Sequence, residues 1–283
     1  MDMKLARLNY RNVFQSERLR PACGRLLPAM LILPLLCWLP SLTLLAQESR
    51  PFPSNLSQMD PDRAGQLLAA FLRSTVPEEA SHLKGNLKIQ QRRSATLNLP
   101  FQFEVCPGQG KWETIYATAG QGEIPAQKLT IVRQNNAPNQ YFMEKAARPG
   151  APLGAKVLLT NSEANIRFAG SDFWLTDLGL EFAYWPGQGF LKGEMREGRY
   201  CYILQSTKSK PTNSGYSRVL SWVDQESGGI VLAEAYDSAG KLLKEFAIRS
   251  LKKVQGHYQL KEMEMRNVQE RSRTRLEFQY EEK

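Results

Sequence analysis

The sequence predicts a mainly β domain of the α+β class. We expect a curved antiparallel half-open β-barrel of about eleven strands, with an N-terminal helix and a short helical lid over an apolar cavity. Three observations predict this fold. Apolar and polar residues alternate along most of the chain after residue 82, one earlier segment has helical spacing, and an aromatic-rich stretch at residues 168–185 interrupts the strands. Alternation on one side is typical of antiparallel sheets that bury a single face.

The N-terminus, residues 1–46, has the pattern of a signal peptide. Basic residues precede an uncharged apolar run that ends at Ala46, after which the sequence turns polar. We predict cleavage after Ala46. The alternative is an uncleaved anchor, because a helix rising about 1.5 Å per residue over this run would just cross a hydrocarbon core of about 30 Å. In both cases the folded part lies across a membrane from the cytoplasm.

The exported part is predicted to be a short linker, residues 47–58, followed by one domain, residues 59–283. Its first element is a helix, because Asp60 is a good N-cap residue and Pro61 suits the first helical position. Its apolar side chains fall on one face and must be buried, most simply against the inner side of the sheet. The predicted face comprises Leu67, Leu68, Phe71 and Leu72.

The alternating segments predict the strands in two groups. A proline- and glycine-rich loop, residues 148–156, separates the groups, and a second short helix is predicted at residues 189–197. The first group comprises residues 83–90, 97–105, 112–118, 129–132 and 140–144. The second comprises residues 199–206, 216–224, 230–236, 241–248, 257–266 and 273–280.

Residues 168–185 form the stretch around which the rest is organised. Gly170, Ser171 and Asp172 supply turn chemistry, and Thr176 or Asp177 suits the start of a one- to two-turn helix. Two interpretations stay open: a loop that plugs the end of a core, or a mobile lid whose aromatic face closes over a cavity. In either interpretation, Asp172 and Asp177 are better explained as turn and cap residues than as a catalytic acid and base.

The charged and reactive residues exclude several classes of protein. The formal charge of +9 is spread among alternating acids and bases, without the aromatic-interleaved basic stripe typical of nucleic-acid binding. We expect no metal site and no cofactor, since the chain has two histidines, His82 and His257, and its cysteines lack a second ligand at short spacing. Cys106 and Cys201 are either a disulfide between the two groups of strands or two separate thiols.

Known catalytic motifs are missing from the sequence, which contains no His-Glu-x-x-His, Gly-x-Ser-x-Gly or phosphate-binding loop. We therefore expect no enzyme and no catalytic residues. Glu262 and Glu264 share one face of a predicted strand, where solvated carboxylates are far commoner than a hydrolytic pair.

Four motifs in order carry a resemblance to a known family. The run 170–178, Arg199-Tyr200-Cys201, the segment from Tyr216 to Asp224, and the hairpin 236–241 are similar to the outer-membrane lipoprotein-sorting proteins, the LolA-like periplasmic carriers and their uncharacterised relatives. The resemblance covers residues 168–280, and before residue 165 the likeness is one of strand pattern alone. It therefore does not place the arginine that matters in the better-known carriers.

The resemblance implies a periplasmic carrier or chaperone that sorts outer-membrane lipoproteins by holding acyl chains of lipoproteins or lipids. We expect a monomer that receives and delivers its cargo through membrane-bound donor and acceptor proteins. Its rivals are a membrane-anchored sensor or interaction module of the same fold, and a hydrolase that would bring Asp172, Glu181 and a histidine together. The predicted ligand-binding residues are Leu67, Phe71, Leu72, Phe101, Phe103, Phe173, Trp174, Leu178, Phe182, Trp222 and Phe246.

Overall fold

The structure is a computed structural model that describes residues 52–53, 55–75, 77, 79–134, 137–160, 163–210, 215–254 and 257–280. Within them the chain forms one antiparallel sheet of thirteen strands and a few short helices. The predicted signal peptide, residues 1–46, lies outside the described residues. None of the described helices has the length and apolar character needed to cross a bilayer.

The helices are α1 (Pro61–Ser74) and α2 (Leu175–Leu178), with three 3₁₀ turns at Leu56–Gln58, Phe168–Gly170 and Glu181–Tyr184. The strands are β1 (Ser81–Gln90), β2 (Leu97–Pro107), β3 (Lys111–Thr118), β4 (Gln127–Gln134), β5 (Ala137–Lys145), β6 (Val157–Leu159), β7 (Gly187–Arg196), β8 (Arg199–Thr207), β9 (Arg218–Asp224), β10 (Ile230–Tyr236), β11 (Leu242–Val254), β12 (His257–Asn267) and β13 (Ser272–Gln279).

The sheet consists of two meanders joined in the middle. Its strand order is β6-β5-β4-β3-β2-β1-β13-β12-β11-β10-β9-β8-β7, so the first and last strands of the domain pair with each other. Leu87 lies opposite Leu276 in that central pair, with Leu99 on the next strand. Because all three leucines are buried, the junction of the meanders is also the middle of the core.

The mainly β, open antiparallel sheet is confirmed, but the strand count of about eleven is too low. The two additional strands are β6 and β7, which form the two ends of the sheet. Strand β7 replaces the helix predicted at residues 189–197. Its glycines disfavour a helix, and a side chain at Gly65 of α1 would come within 2.5 Å of the Gly189 backbone, so α1 packs directly on this strand.

Helix α1 begins as predicted, and the face that it buries matches the expected one in part: Leu68 is buried and Leu72 packs on the core, whereas Leu67 does not. The Asp60 carboxylate accepts a hydrogen bond from the Arg63 amide at 3.0 Å, which caps the helix. Leu67 is 40% exposed, whereas Leu68 and Ala64 are fully buried. Small residues at 64 and 65 let the helix approach the strand closely, and this close packing rotates Leu67 away from the sheet.

The described part of the predicted linker, residues 47–58, is packed on the sheet. Leu56 is fully buried, and the ring of Phe52 stacks on Tyr202 of β8 with a centroid distance of 5.8 Å. Phe52 also makes an edge contact with Phe71 of α1 at 4.9 Å. The ordered domain therefore includes aromatic and apolar residues ahead of residue 59.

The sheet curls strongly. One cavity is lined by both Tyr116 of β3 and Val219 of β9, which are seven strands apart in the strand order. At about 4.8 Å per strand, a flat sheet would place these strands roughly 34 Å apart. The concave face therefore wraps around the segment that connects β6 to β7, which is the stretch the sequence identified as central.

Candidate functional site

The first half of the connecting segment, residues 168–175, fills the concave face beside β1 to β5 and β13, and we call it the plug segment. Phe168, Phe173 and Leu175 are at most 2% exposed and belong to the main hydrophobic core. A core loop was one of the two interpretations left open by the sequence. For this half of the connecting segment, the structure agrees with the interpretation as a core loop.

Asp172 ties the plug segment to the sheet. Its carboxylate accepts hydrogen bonds from the Ser272 hydroxyl at 2.6 Å and the Thr274 hydroxyl at 2.9 Å, and the Asp172 amide donates to Thr274. Arg167 lies 3.9 Å from the same carboxylate. Asp172 is 1% exposed, and burying a carboxylate is costly unless it has hydrogen-bond partners. The hydroxyls and Arg167 around it supply those partners.

The second half, residues 178–185, lies over an apolar cavity of about 340 Å³, and we call it the covering segment. Leu178, Leu180 and Phe182 form its side of the cavity. The sheet side is built by small residues on β9 and β10 together with longer ones on β11 and β12. Its lining there comprises Val219, Ala233, Ala235, Phe246, Met263 and Met265.

Five of the eleven predicted ligand-binding residues line this cavity. They come from three parts of the chain, because the curled sheet brings the end of α1, the connecting segment and β11 together. They are Leu72, Phe173, Leu178, Phe182 and Phe246.

The other six lie outside the cavity lining. Phe101 and Phe103 pack edge-on against Phe278 and fill the core of the first meander. Leu67 is largely exposed, and Phe71 packs on Phe52. The two tryptophans, Trp174 and Trp222, have other roles described next.

Trp222 was predicted to line the inner wall, and this prediction is wrong. Its ring lies on the opposite face of the sheet, in a cluster with Ile203, Leu232 and Ala247. Its indole nitrogen donates to Glu194 at 2.7 Å. Strand β9 presents Val219, Ser221 and Val223 inward, and the alternation of a strand then directs residue 222 outward.

Trp174 belongs to a buried polar cluster at the cavity wall. The Lys244 ammonium lies 3.2 Å from the Asp177 carboxylate and 3.6 Å from the centre of the Trp174 ring, which stacks on Tyr216. Burial lowers the pKa of Lys244, and the Asp177 charge opposes that shift. Asp177 also accepts from the Trp174 amide at 2.8 Å, so it helps to cap α2 from the third position of the helix, whereas Trp174 holds the N-cap position predicted for Thr176 or Asp177.

Arg133 is a site residue that sequence reasoning missed. Its guanidinium donates to the Leu178 carbonyl at 2.8 Å and to the Gly179 carbonyl at 3.2 Å, the free carbonyls at the end of α2. Asn139 donates to the same Gly179 oxygen at 2.7 Å. A cation within the apolar strand Leu-Thr-Ile-Val-Arg was the sequence signal that would have found it.

Further polar contacts hold the rest of the covering segment. The Tyr141 hydroxyl donates to Glu181 at 2.9 Å, and Gln188 donates to the carbonyls of Phe182 and Trp185 at 3.0 and 2.8 Å. Arg73 of α1 donates to the carbonyl of residue 183. Side chains therefore satisfy carbonyls along this segment, whereas the plug segment combines apolar burial with the hydrogen bonds of Asp172.

A second cavity of about 200 Å³ abuts the first, and because polar residues make up most of its lining residues, beside Phe182 and Trp185, we call it the polar cavity. The two cavities share Asp177, Phe182 and Tyr216 as lining residues. Asn165, Thr176, Glu181 and Lys208 complete most of the polar lining. Burial raises the pKa of Glu181, although the hydrogen bond from Tyr141 opposes this, and burial lowers the pKa of Lys208.

The possible disulfide is absent. Cys106 lies on β2 and Cys201 on β8, seven strands apart in the strand order, and the two cysteines are not joined. A disulfide requires Cα atoms within about 7 Å. Burial raises the pKa of the Cys201 thiol to about 11, which makes it a poor nucleophile.

His82 does not meet Asp172 and Glu181, as the hydrolase alternative would require. Its imidazole lies 3.3 Å from Glu104 on β2, while Asp172 is bound by hydroxyls and Glu181 by Tyr141. The side chain of His257 lies outside what the structure describes. Over the described ranges, no group of three histidine, cysteine, aspartate or glutamate side chains is placed to hold a metal ion.

Comparisons with known proteins agree with this architecture. A family model described as "-like: Uncharacterized protein" matches residues 155–282. No curated protein matches the chain. A crystal structure of a DUF1329 family protein from Desulfovibrio piger is 20% identical, with a TM-score of 0.62 over 78% of this chain and 92% of that one.

Two further crystal structures are similar. A "putative outer membrane lipoprotein-sorting protein domain" from Vibrio parahaemolyticus is 18% identical, with a TM-score of 0.61 over 77% of this chain and 92% of that one. A LolA superfamily protein from Nitrosomonas europaea is 15% identical, with a TM-score of 0.51 over 78% and 93%. The predicted resemblance is thus confirmed for the fold: the chain has the LolA-like fold of an open, mainly β sheet.

Proposed function

We propose that this protein is a non-catalytic carrier or chaperone that holds an acyl chain of a lipid or lipoprotein in its apolar cavity. The observation that carries the proposal is the cavity itself, with its wall of Val219, Ala233 and Ala235 and its cover of Leu178 and Phe182. The shared fold supports it, since one protein with that fold is described as a lipoprotein-sorting domain. In this function the exported domain works in the periplasm as a monomer between membrane-bound donor and acceptor proteins.

The size of the cavity sets the size of the cargo. An engineered cavity of about 150 Å³ binds benzene, so by proportion 340 Å³ accepts roughly a dozen carbons. At about 0.8 kcal/mol per CH₂, covering such a chain recovers on the order of 9 kcal/mol. The cavity therefore suits one chain, and a cargo with several chains requires the covering segment to move.

The covering segment is the part suited to act as a lid. Its carbonyls are bound by Arg133, Asn139, Arg73 and Gln188, and water can replace such donors when the segment moves outward. The plug segment has no comparable substitute, because water does not replace apolar contacts around Phe168 and Leu175. We therefore place the hinge between the two segments, at α2.

The test is recovery of bound lipid. The exported protein is purified from its cells, and lipid is extracted and identified by mass spectrometry. Ala233→Phe fills the cavity without removing a contact, so we expect it to lower acyl-lipid recovery several-fold while the melting temperature stays the same or rises. Ala239→Phe, in the exposed hairpin 237–241, is the matched control. Equal recovery from both variants, or none from the unaltered protein, would contradict the carrier function.

A further inference from the structure

The polar cavity has the composition of a head-group site. It abuts the apolar cavity at Asp177, Phe182 and Tyr216, so a ligand with a tail in one space has its polar end beside the other. Its volume of about 200 Å³ exceeds that of a single water, for which about 30 Å³ suffices.

Tyr216 carries an unmade hydrogen bond at this boundary. Its side chain is 5% exposed and stacks on Trp174 at 4.6 Å, which fixes the ring. Its hydroxyl is buried and makes no hydrogen bond of ordinary length within the described chain, although burial and, after it, the nearby Asp177 carboxylate raise the pKa of Tyr216. A buried hydroxyl without a partner destabilises a protein, so a polar ligand atom beside Tyr216 recovers a bond that the empty protein lacks.

The charges around the two cavities do not cancel. Arg133, Lys208 and Lys244 contribute three cations, whereas Asp177 and Glu181 contribute two carboxylates. Asp177 is paired with Lys244, and Glu181 accepts from Tyr141.

Arg133 is bound by the Leu178 and Gly179 carbonyls, which leaves Lys208 as the cation that no hydrogen bond or ion pair among the described residues engages. Its ammonium lies 4.8 Å from the centre of the Trp185 ring and forms no ion pair within 4 Å with a carboxylate of the described residues. Although Glu181 is near enough to raise its pKa, burial of the ammonium has the larger effect and lowers it. A ligand with one negative charge would neutralise the site and partner both Lys208 and the Tyr216 hydroxyl.

We propose that the ligand is a single-chain acyl carboxylate, with its tail in the apolar cavity and its head group at the Tyr216 hydroxyl and the Lys208 ammonium. The tail placement rests on the carrier function proposed above, whereas the head-group site rests on Tyr216 and Lys208. A chain of roughly twelve carbons matches the cavity volume. A charge-assisted bond from a hydroxyl to a carboxylate is about twice as strong as a neutral one, so the head group adds selectivity to the apolar tail.

The experiment compares ligands that share a tail and differ in the head. Delipidated exported protein is titrated by calorimetry with dodecanoate, dodecanol and dodecyl phosphate, each below its micelle concentration. We expect dodecanoate to bind at least about tenfold more tightly than dodecanol. Tyr216→Phe removes one oxygen atom that has no partner in the empty protein, so its melting temperature should not fall.

The variants separate the head group from the tail. Tyr216→Phe and Lys208→Gln should each weaken dodecanoate about 10- to 100-fold and leave dodecanol unchanged. Tyr200→Phe, an exposed tyrosine that does not line either cavity, is the matched control and should change neither affinity.

Each outcome distinguishes the two proposals. If the unaltered protein binds dodecanol and dodecanoate equally, the head-group site is wrong while the carrier function stands. If dodecyl phosphate binds much more tightly than dodecanoate, the site prefers a doubly charged head and the carboxylate proposal is overturned. If none of the three ligands binds, the acyl-carrier function itself fails.

Discussion

The two halves of the concave face differ in what fills them. Beside β1 to β5, the plug segment packs Phe168 and Leu175 into a solid core. Beside β9 to β12, the sheet presents Ala233 and Ala235, and a cavity remains under the covering segment. The contrast shows that small side chains create the cavity on the concave face of this sheet, whereas the large aromatic side chains that are prominent in the sequence fill space.

The largest expected effect contrasts a phenylalanine from each half. Phe168→Ala empties a fully packed site and should lower the free energy of unfolding by about 3–5 kcal/mol. Phe182→Ala should cost less than half of that, because one side of Phe182 already faces the cavity. Urea denaturation monitored by circular dichroism measures both. Equal losses would show that the two halves are packed alike.

Arg133 tests whether the covering segment is held by its polar contacts. Arg133→Met removes the donors to the carbonyls of Leu178 and Gly179, and we expect a loss of about 2 kcal/mol, concentrated in this segment. Hydrogen exchange should quicken at residues 178–185 and stay unchanged at residues 168–175. Lys128→Met, on the same strand and paired with Glu144, is the control. Faster exchange in the plug segment as well would mean that the two segments move together.

The same substitution should have opposite signs in the two halves. Ala235→Leu extends into the cavity and should raise the free energy of unfolding by about 1 kcal/mol. Ala164→Leu enlarges a fully buried residue of the solid core and should lower it by about 1–3 kcal/mol. Thermal denaturation of the two variants gives the comparison directly. A loss of stability in both would mean that the cavity wall is as tightly packed as the core.

The smallest expected effect is a pH dependence confined to the covering segment. Burial raises the pKa of Glu181 above its ordinary value of 4.5. Between 4.5 and the raised pKa the folded protein keeps a proton that the unfolded chain has lost, so the free energy of unfolding falls as pH rises through this window. Glu181→Gln should lack this component.

The measurement for Glu181 is a difference between two proteins. Denaturation of the unaltered protein and of Glu181→Gln from about pH 4 to about pH 8 isolates this one group. Other carboxylates, such as Asp224, whose pKa is lowered, contribute equally to both curves and cancel. Parallel curves would show that Glu181 titrates alike in the folded and unfolded chain.

The site was predictable where a residue's role follows from its neighbours in sequence. Asp60 and Pro61 predicted the start of α1, and Asp177 was expected to be a capping residue. Trp222 was assigned to the wrong face because alternation shows which residues share a face of β9 and does not show which face turns inward. Lys244 shares the inward parity of Phe246, so the same alternation would have placed a lysine beside the cavity.

The sequence by itself determined the period of every described strand except β6 and β7, the cap of α1, and the position of the segment that interrupts the sheet, because these depend on residues close together in the chain. The tertiary structure alone decided which spaces are filled. The hydrogen bond from Arg133 to Leu178 and the ion pair of Lys244 with Asp177 join residues 45 or more positions apart, and the cavity lies between such distant parts of the chain. Their proximity follows from the pairing of the first strand with the last and from the curl of the sheet. Local periodicity does not encode a volume, which depends on how side chains from distant strands meet.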